Sequence, residues 1–173
     1  MDESLQQLNA IERPPSRPSA PGTIEGWRPV EQKIGVTFPR HYKDYIRSYG
    51  AGQWAGFFGI MDPFYEWKHP QATGYFRWME TRLDGLDELR RQHPESVVPF
   101  DRHPAPDGLL PFGYDDNGGT LCFQVSGVVD AWPIVFLSGK FGGSYDTFRG
   151  NVAAFLVALL KEKFLPIETR AIG

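Results

Sequence analysis

Residues 109–125 read LLPFGYDDNGGTLCFQV, and this stretch indicates the fold class. From residue 121 onward, large apolar residues alternate with smaller or polar ones, which is the period of a strand with one buried face. Asn117-Gly118 is the dipeptide that most strongly favours a two-residue type I′ hairpin turn, because both central residues of that turn need a positive φ. The stretch therefore predicts strands joined by a tight turn.

The sequence on either side of this stretch supplies the other elements. Apolar residues at helical spacing predict helices over residues 27–34, 39–49, 72–92 and 148–163, and short apolar runs predict strands at 56–61 and 133–137. Gly35 and Gly50 are placed to end the first two helices, Thr37 to cap the second, and Gly85 to divide the third. Helices, then a meander of strands, then a closing helix predict an α+β domain with a mostly antiparallel central sheet.

The first 22 residues have a different composition. Leu5, Leu8 and Ile11 are spaced for one short helix, but prolines at 14, 15, 18 and 21 then favour an extended, solvated chain. We therefore predict a flexible proline-rich tail over residues 1–22 and a globular domain over residues 23–173. The prolines also match a PxxP ligand pattern, but a plain linker is the better explanation.

Composition limits the classes of function. A chain of 173 residues with 41% apolar and 23% charged residues is typical of one soluble globular domain. The net charge of −3 argues against a strongly basic nucleic-acid binder. Residues 103–139 hold four acidic residues and no Lys or Arg, whereas the rest of the chain carries +1. This distribution favours a basic partner, or it reflects solvated aspartates in turns.

The sequence also predicts a cytoplasmic location. Cys122 is the single cysteine, so no internal disulfide can form, and its apolar neighbours predict an inert core residue. No apolar run reaches the roughly 18 residues of a membrane span. The N-terminal residues show neither a basic nor an apolar leader region.

Known catalytic and ligand-binding motifs are missing from the sequence. It contains no Gly-x-Ser-x-Gly nucleophile elbow, no phosphate-binding loop and no correctly spaced dinucleotide fingerprint. A calcium loop starting at Asp115 fails at Thr120 and Ser126, where Gly and Glu are required. His93 and His103, with the aspartates near them, match no metal-ligand spacing. We therefore expect no enzyme activity, no metal and no cofactor.

Three motifs occur in an order that resembles the SUKH superfamily, also called the SMI1/KNR4 family. The first consists of Ile34-Gly35, Phe38-Pro39 and the tyrosines up to Tyr49-Gly50. The second consists of Pro111-Phe112-Gly113 and Asp116-Asn117-Gly118. The third consists of Trp132-Pro133-Ile134-Val135, Tyr145 and Phe155-Leu156. Glu31 is the counterpart of the glutamate that commonly precedes the first motif. The resemblance covers residues 24–160.

The resemblance implies a protein-binding module. Bacterial members of the family look mostly like immunity proteins of polymorphic toxin systems, which bind a cognate toxin domain, often a nuclease, and block it. Eukaryotic relatives act as regulators or scaffolds. We therefore expect an immunity protein whose partner is a toxin domain, such as a basic nuclease, with a regulatory scaffold as the alternative. We expect no direct contact with nucleic acid or a membrane, and a monomer or weak dimer.

Five residues are the candidate contacts for such a partner. An acidic surface speeds encounter with a basic protein, and aromatic anchors then supply affinity. The candidates are Trp54, Asp115, Asp116, Asp130 and Trp132. A core position is an equally good explanation for each tryptophan, and turn chemistry is the alternative for each aspartate.

Overall fold

The computed structural model describes residues 2–64, 74–95, 98–139 and 143–162. Within these ranges the helices are α1 (Glu3–Ile11), α2 (Ile24–Ile34), α3 (Arg40–Tyr49), α4 (Gly74–Gln92) and α5 (Val152–Leu160). The strands are β1 (Gly52–Trp54), β2 (Phe58–Ile60), β3 (Leu109–Asp115), β4 (Thr120–Gln124), β5 (Ile134–Leu137) and β6 (Tyr145–Phe148), and one 3-10 turn spans Val129–Ala131. The predicted α+β class is confirmed.

The strands form one six-stranded sheet in the order β1-β2-β3-β4-β5-β6, and every neighbouring pair is antiparallel. This meander is the arrangement that short connections favour, since consecutive strands pair with each other. The register of β3 against β4 shifts between Pro111 and Gly113, which marks a bulge. Strands β1 and β6 are the two edge strands of the described sheet.

Side chains pack on both faces of the sheet. The larger core cluster joins α3 and α5 to alternate residues of β3, β4 and β5, among them Phe112, Phe123 and Phe136. The rings of Phe112 and Phe123 stack with centroids 4.0 Å apart. The next residue of each strand faces the other way, and a smaller cluster forms where Leu86 of α4 meets Leu109, Cys122 and Val135.

The start of α3 is held by residues far away in the sequence. Pro39 occupies the N-cap position and makes no side-chain cap hydrogen bond, so the predicted capping by Thr37 is wrong. Instead, Asp130 Oδ1 accepts a hydrogen bond of 2.6 Å from the Arg40 N–H. Glu31 of α2 accepts a 2.8 Å hydrogen bond from the Phe38 N–H and pairs with Lys43 at 2.5 Å. The glutamate of the first motif therefore joins α2 to α3.

The β3–β4 connection differs from the predicted type I′ turn. Four residues, 116–119, separate the strands, and of the Asn117-Gly118 pair only Gly118 has a positive φ, of 87°. The reason is a side-chain bond, because Asp115 Oδ1 accepts from the N–H groups of both Asn117 and Gly119. A Cβ at Gly119 would lie 2.6 Å from the Phe136 ring, so only glycine fits there.

Two helices differ in extent from their predictions. Helix α4 continues through Gly85 without a break, because that glycine faces open space and its backbone keeps the helical geometry. The predicted start of this helix at residue 72 lies outside the described residues. Helix α5 ends at Leu160, and the predicted end at residue 163 also lies outside them.

The first half of the predicted flexible tail is part of the packed domain. Helix α1 buries Leu5 and Leu8 against the core cluster, and Asp2 accepts a 2.7 Å hydrogen bond from Asn151 at the start of α5. The expectation of a solvated chain is wrong for α1. The sequence shows the apolar spacing of this helix, but it does not show that α5, far along the chain, packs against it. The prolines do end α1, and residues 13–18 form neither helix nor strand.

We expect Leu8→Ala to destabilise the protein by about 2–4 kcal/mol, because it opens a cavity beneath a fully buried side chain. Urea unfolding measures the change. The matched control is Gln6→Ala on the exposed side of the same helix, which should change the free energy of unfolding by less than about 0.5 kcal/mol. Equal, small effects of both variants would mean that α1 does not contribute to the core.

Candidate partner-binding surface

The two tryptophans of the candidate set are core residues. Trp54 is 7% exposed and Trp132 is 3% exposed. The Trp54 indole N–H donates a 2.6 Å hydrogen bond to the Tyr45 hydroxyl, and Trp132 packs against Phe123 with ring centroids 6.1 Å apart. Both side chains therefore stabilise the domain, and Trp54 presents only an edge to solvent.

The three candidate aspartates occupy different environments. Asp115 is 2% exposed and closes the β3–β4 turn, so its carboxylate serves the fold. Asp130 is exposed and caps α3 through the Arg40 N–H. Asp116 is exposed and accepts from the Gln53 side-chain amide at 3.1 Å. Asp116 and Asp130 are thus the two members of the set whose side chains are open to a partner, and they lie on different loops.

Helix α4 carries an acidic surface that the candidate set does not include. Glu80, Asp84 and Asp87 lie on one side of the helix, at spacings of four and three residues, and all three converge on Arg102 from the following loop. The Arg102 guanidinium lies 2.9 Å from Asp84 and 3.0 Å from Asp87, and also pairs with Glu80. We call Glu80, Asp84, Asp87 and Arg102 the α4 acidic surface.

The α4 acidic surface has an excess of negative charge. Three carboxylates face one guanidinium, and the hydrogen bonds that Arg102 donates to Asp84, Asp87 and Glu80 raise its pKa, so it stays protonated. Ion pairs this exposed add little to stability because water screens them. Their main physical effect is a local negative potential, which attracts a basic surface. The sequence shows the i, i+4, i+7 spacing of the three acids, but it does not show that Arg102 lies beside them.

The described residues assemble no metal site, and the cysteine among them is buried. Among the described residues, no group of three or more His, Cys, Asp or Glu side chains is placed to hold a metal ion. Cys122 is buried as predicted, and burial raises the pKa of its thiol, so the nucleophilic thiolate is disfavoured. No helix in the described part of the chain combines the length and apolarity that crossing a membrane requires.

Asp62 is a buried carboxyl group close to α3. It has no solvent exposure, and its Oδ1 accepts a 2.8 Å hydrogen bond from the Phe64 N–H. Its Oδ2 is buried with no hydrogen-bond partner. Burial raises the pKa of Asp62 to about 7, and hydrogen bonds from the Phe64 and Ala51 backbone only partly oppose this shift.

The fold and these surfaces define a single-sheet α+β domain with a cluster of three carboxylates around Arg102 on α4. The family model described as SMI1-KNR4 cell-wall (SUKH_6) matches residues 24–156, which is more than half of the chain. The chain therefore belongs to the SMI1/KNR4 family of the SUKH superfamily, as its motifs indicated. The match runs from the first residue of α2 into α5, so α1 lies outside it. No curated protein and no solved structure matches the chain.

We expect Asp115→Ala to destabilise the protein by about 2–3 kcal/mol, because it removes the acceptor for a buried backbone N–H group, that of Gly119, and for the part-buried one of Asn117. Thermal and urea unfolding measure the loss. Asp116→Ala is the matched control, since this neighbouring aspartate is exposed, and it should cost less than about 0.5 kcal/mol. A similar loss in both variants would contradict the structural role of Asp115.

The free energy of unfolding should fall as the pH rises through the window from about 4 to about 7, in part because of Asp62. Its pKa in the folded protein, about 7, lies above the ordinary value of 3.8, so the folded state binds the proton more tightly across that window. Asp62→Asn should remove this contribution. Relative to the wild type, the variant should gain roughly 2–4 kcal/mol between pH 5 and pH 8. Urea unfolding at several pH values tests this, and parallel pH profiles of the two proteins would contradict it.

Proposed function

We propose that this protein is an immunity protein, which binds the cognate toxin domain of a polymorphic toxin system and neutralises it by occupying its surface. In this proposal the protein catalyses no reaction of its own. Its partner is a toxin domain with a basic surface, such as a nuclease. Membership of the SMI1/KNR4 family supports it, since the family is consistent with toxin immunity. The observation that carries the proposal within the molecule is the α4 acidic surface.

The α4 acidic surface suits the encounter step of such a complex. Nucleases carry positive charge where they hold the phosphate backbone, so a negative potential on the inhibitor speeds association. Asp84 is 72% exposed and Glu80 is 55% exposed as side chains, which keeps both accessible to a partner. Apolar contacts near this surface would then set the lifetime of the complex.

A regulatory scaffold without a toxin partner is the alternative function. The proline-rich segment would support it if that segment recruited a partner. Deleting residues 1–22 does not test this, because the deletion also removes Leu5 and Leu8 from the core. Replacing Pro14, Pro15 and Pro18 by alanine keeps α1 and alters only the segment.

The test of the proposed function is co-expression with the C-terminal toxin domain encoded beside this chain's gene. We expect a stable one-to-one complex and protection of the producing cell. Separate elution of the two proteins on size-exclusion chromatography, with no protection, would contradict the proposal. If the proline variant still protects the cell but no longer binds a different partner, the protein has a second, scaffold-type role.

The contribution of the α4 acidic surface is tested by Asp84→Asn combined with Asp87→Asn. We expect a roughly threefold to tenfold slower association with a basic toxin domain, a weaker dependence on salt, and little change in dissociation. Stopped-flow fluorescence at several salt concentrations measures both rates. Glu3→Gln combined with Glu25→Gln removes the same charge from exposed sites on α1 and α2 and should leave the association rate close to that of the wild type.

A further inference from the structure

A groove of about 670 Å³ lies between the N-terminal segment and the start of the sheet. One wall is the segment from Ile11 to Ser19, and the other is the end of α3 together with β1. Leu160 of α5 closes part of it. We call this the β1 groove. None of the functional arguments above uses it.

Both ends of the segment wall are held in place, so the groove exists before any ligand binds. The Tyr49 hydroxyl lies 2.7 Å from the Glu12 carbonyl oxygen and 2.8 Å from Asn9 Oδ1, and can donate to either. Burial raises the pKa of Tyr49 to about 12, which keeps that donor protonated. At the other end Ser19 bridges Gly50, and a Cβ at Gly50 would lie 2.1 Å from the Ser19 carbonyl oxygen.

The edge of β1 that faces outward has no strand partner within the described parts of the chain. Strand β1 pairs with β2 on one side, and the single bridge from Ser19 reaches Gly50 but not Gly52–Trp54. Prolines explain why the segment does not continue as a seventh strand, because Pro14, Pro15 and Pro18 have no N–H to donate. Gly52 and Gln53 are accordingly exposed.

The groove combines apolar surface with positive charge. Ile11 is 42% exposed, which is unusual for a large aliphatic side chain, and the edge of Trp54 lies on the opposite wall. Arg13 and Arg17 also line the groove, are exposed, and form no ion pair with any described residue. Glu12 is the only acid among the described lining residues, so the arginines outnumber it.

We propose that the β1 groove binds an extended, acidic segment of another protein, which adds to the open edge of β1 as a further strand. The backbone N–H and C=O groups of Gln53, which point away from β2, would pair with those of the segment, as in other cases of strand addition. An apolar side chain of the segment would lie against Ile11 and Trp54, and its carboxylates would accept from Arg13 and Arg17. This site is separate from the α4 acidic surface and does not depend on the proposed function.

The same groove fits a single-stranded nucleic acid less well. Bases bind such proteins by stacking on exposed aromatic ring faces. Tyr49 and Trp54 are each 7% exposed, so their ring faces are already used in the core. A sheet edge, in contrast, offers alternating donors and acceptors that match a peptide backbone and not a phosphodiester chain.

The proposal is tested with two blocked seven-residue peptides that share a Val-Phe-Val centre. One carries two acidic residues on each side of the centre, and the other carries two lysines on each side. Two-dimensional NMR titration of the full chain should give an affinity at least about tenfold higher for the acidic peptide. Hydrogen exchange should slow at the Gln53 amide when it binds, because Gly52 and Trp54 pair with Ile60 and Phe58 of β2 and Gln53 faces the open edge.

Arg13→Gln combined with Arg17→Gln should weaken binding of the acidic peptide by roughly tenfold or more. Both side chains are exposed, so the variant should keep the unfolding temperature of the wild type. Arg77→Gln combined with Arg91→Gln is the matched control, because it removes two exposed arginines from α4 and leaves the groove intact. Its affinity for the acidic peptide should equal that of the wild type.

Four results would overturn the proposal. They are equal binding of the two peptides, no binding of either, unchanged affinity of the Arg13/Arg17 variant, and preferential binding of a six-residue thymidine oligonucleotide that the same variant abolishes. Light scattering combined with hydrogen exchange distinguishes self-association of the chain from peptide binding. Slow exchange at Gln53 in a dimer without peptide would also overturn it, because it would assign the β1 edge to a second copy of this chain and not to a peptide.

Discussion

Tyr42 lies without solvent exposure beneath the Phe112–Phe123 ring pair, and its hydroxyl donates a 2.6 Å hydrogen bond to the Met61 carbonyl oxygen. This one side chain joins α3, the central hairpin and the residue that follows β2. It satisfies the rule that a buried polar group needs a partner, while its ring fills space between the helix and the sheet. The contact therefore links the N-terminal helices to both parts of the sheet.

The acidic and basic features of the surface lie on elements outside this contact. Helix α4 packs on the sheet through its apolar side, which leaves Glu80, Asp84 and Asp87 toward solvent. The segment that carries Arg13 and Arg17 is attached at its ends, by the Tyr49 hydroxyl and by the bridge from Ser19 to Gly50. Side chains on both elements can therefore vary with little effect on the core.

Much of the fold could be predicted from the sequence because the decisive signals are local. The tyrosine spacing of α3 and the glycine after α2 depend on neighbours a few residues away, and the structure has both. The errors occur where the deciding partner is distant. Asp130 replaces Thr37 as the cap of α3, α5 turns the expected tail into a core helix, and Tyr45 accepts the indole N–H that makes Trp54 a core residue. The acidic spacing on α4 was visible in the sequence, but its convergence on Arg102 required the loop conformation.

The docking of α1 on α5 has a consequence for biosynthesis. The ribosome makes α1 before the other described helices, yet α5, which packs on it, is the last of them to leave the exit tunnel. Until then Leu5 and Leu8 lack the contacts that α5 supplies. The core of this domain is therefore complete only after α5 has been synthesised.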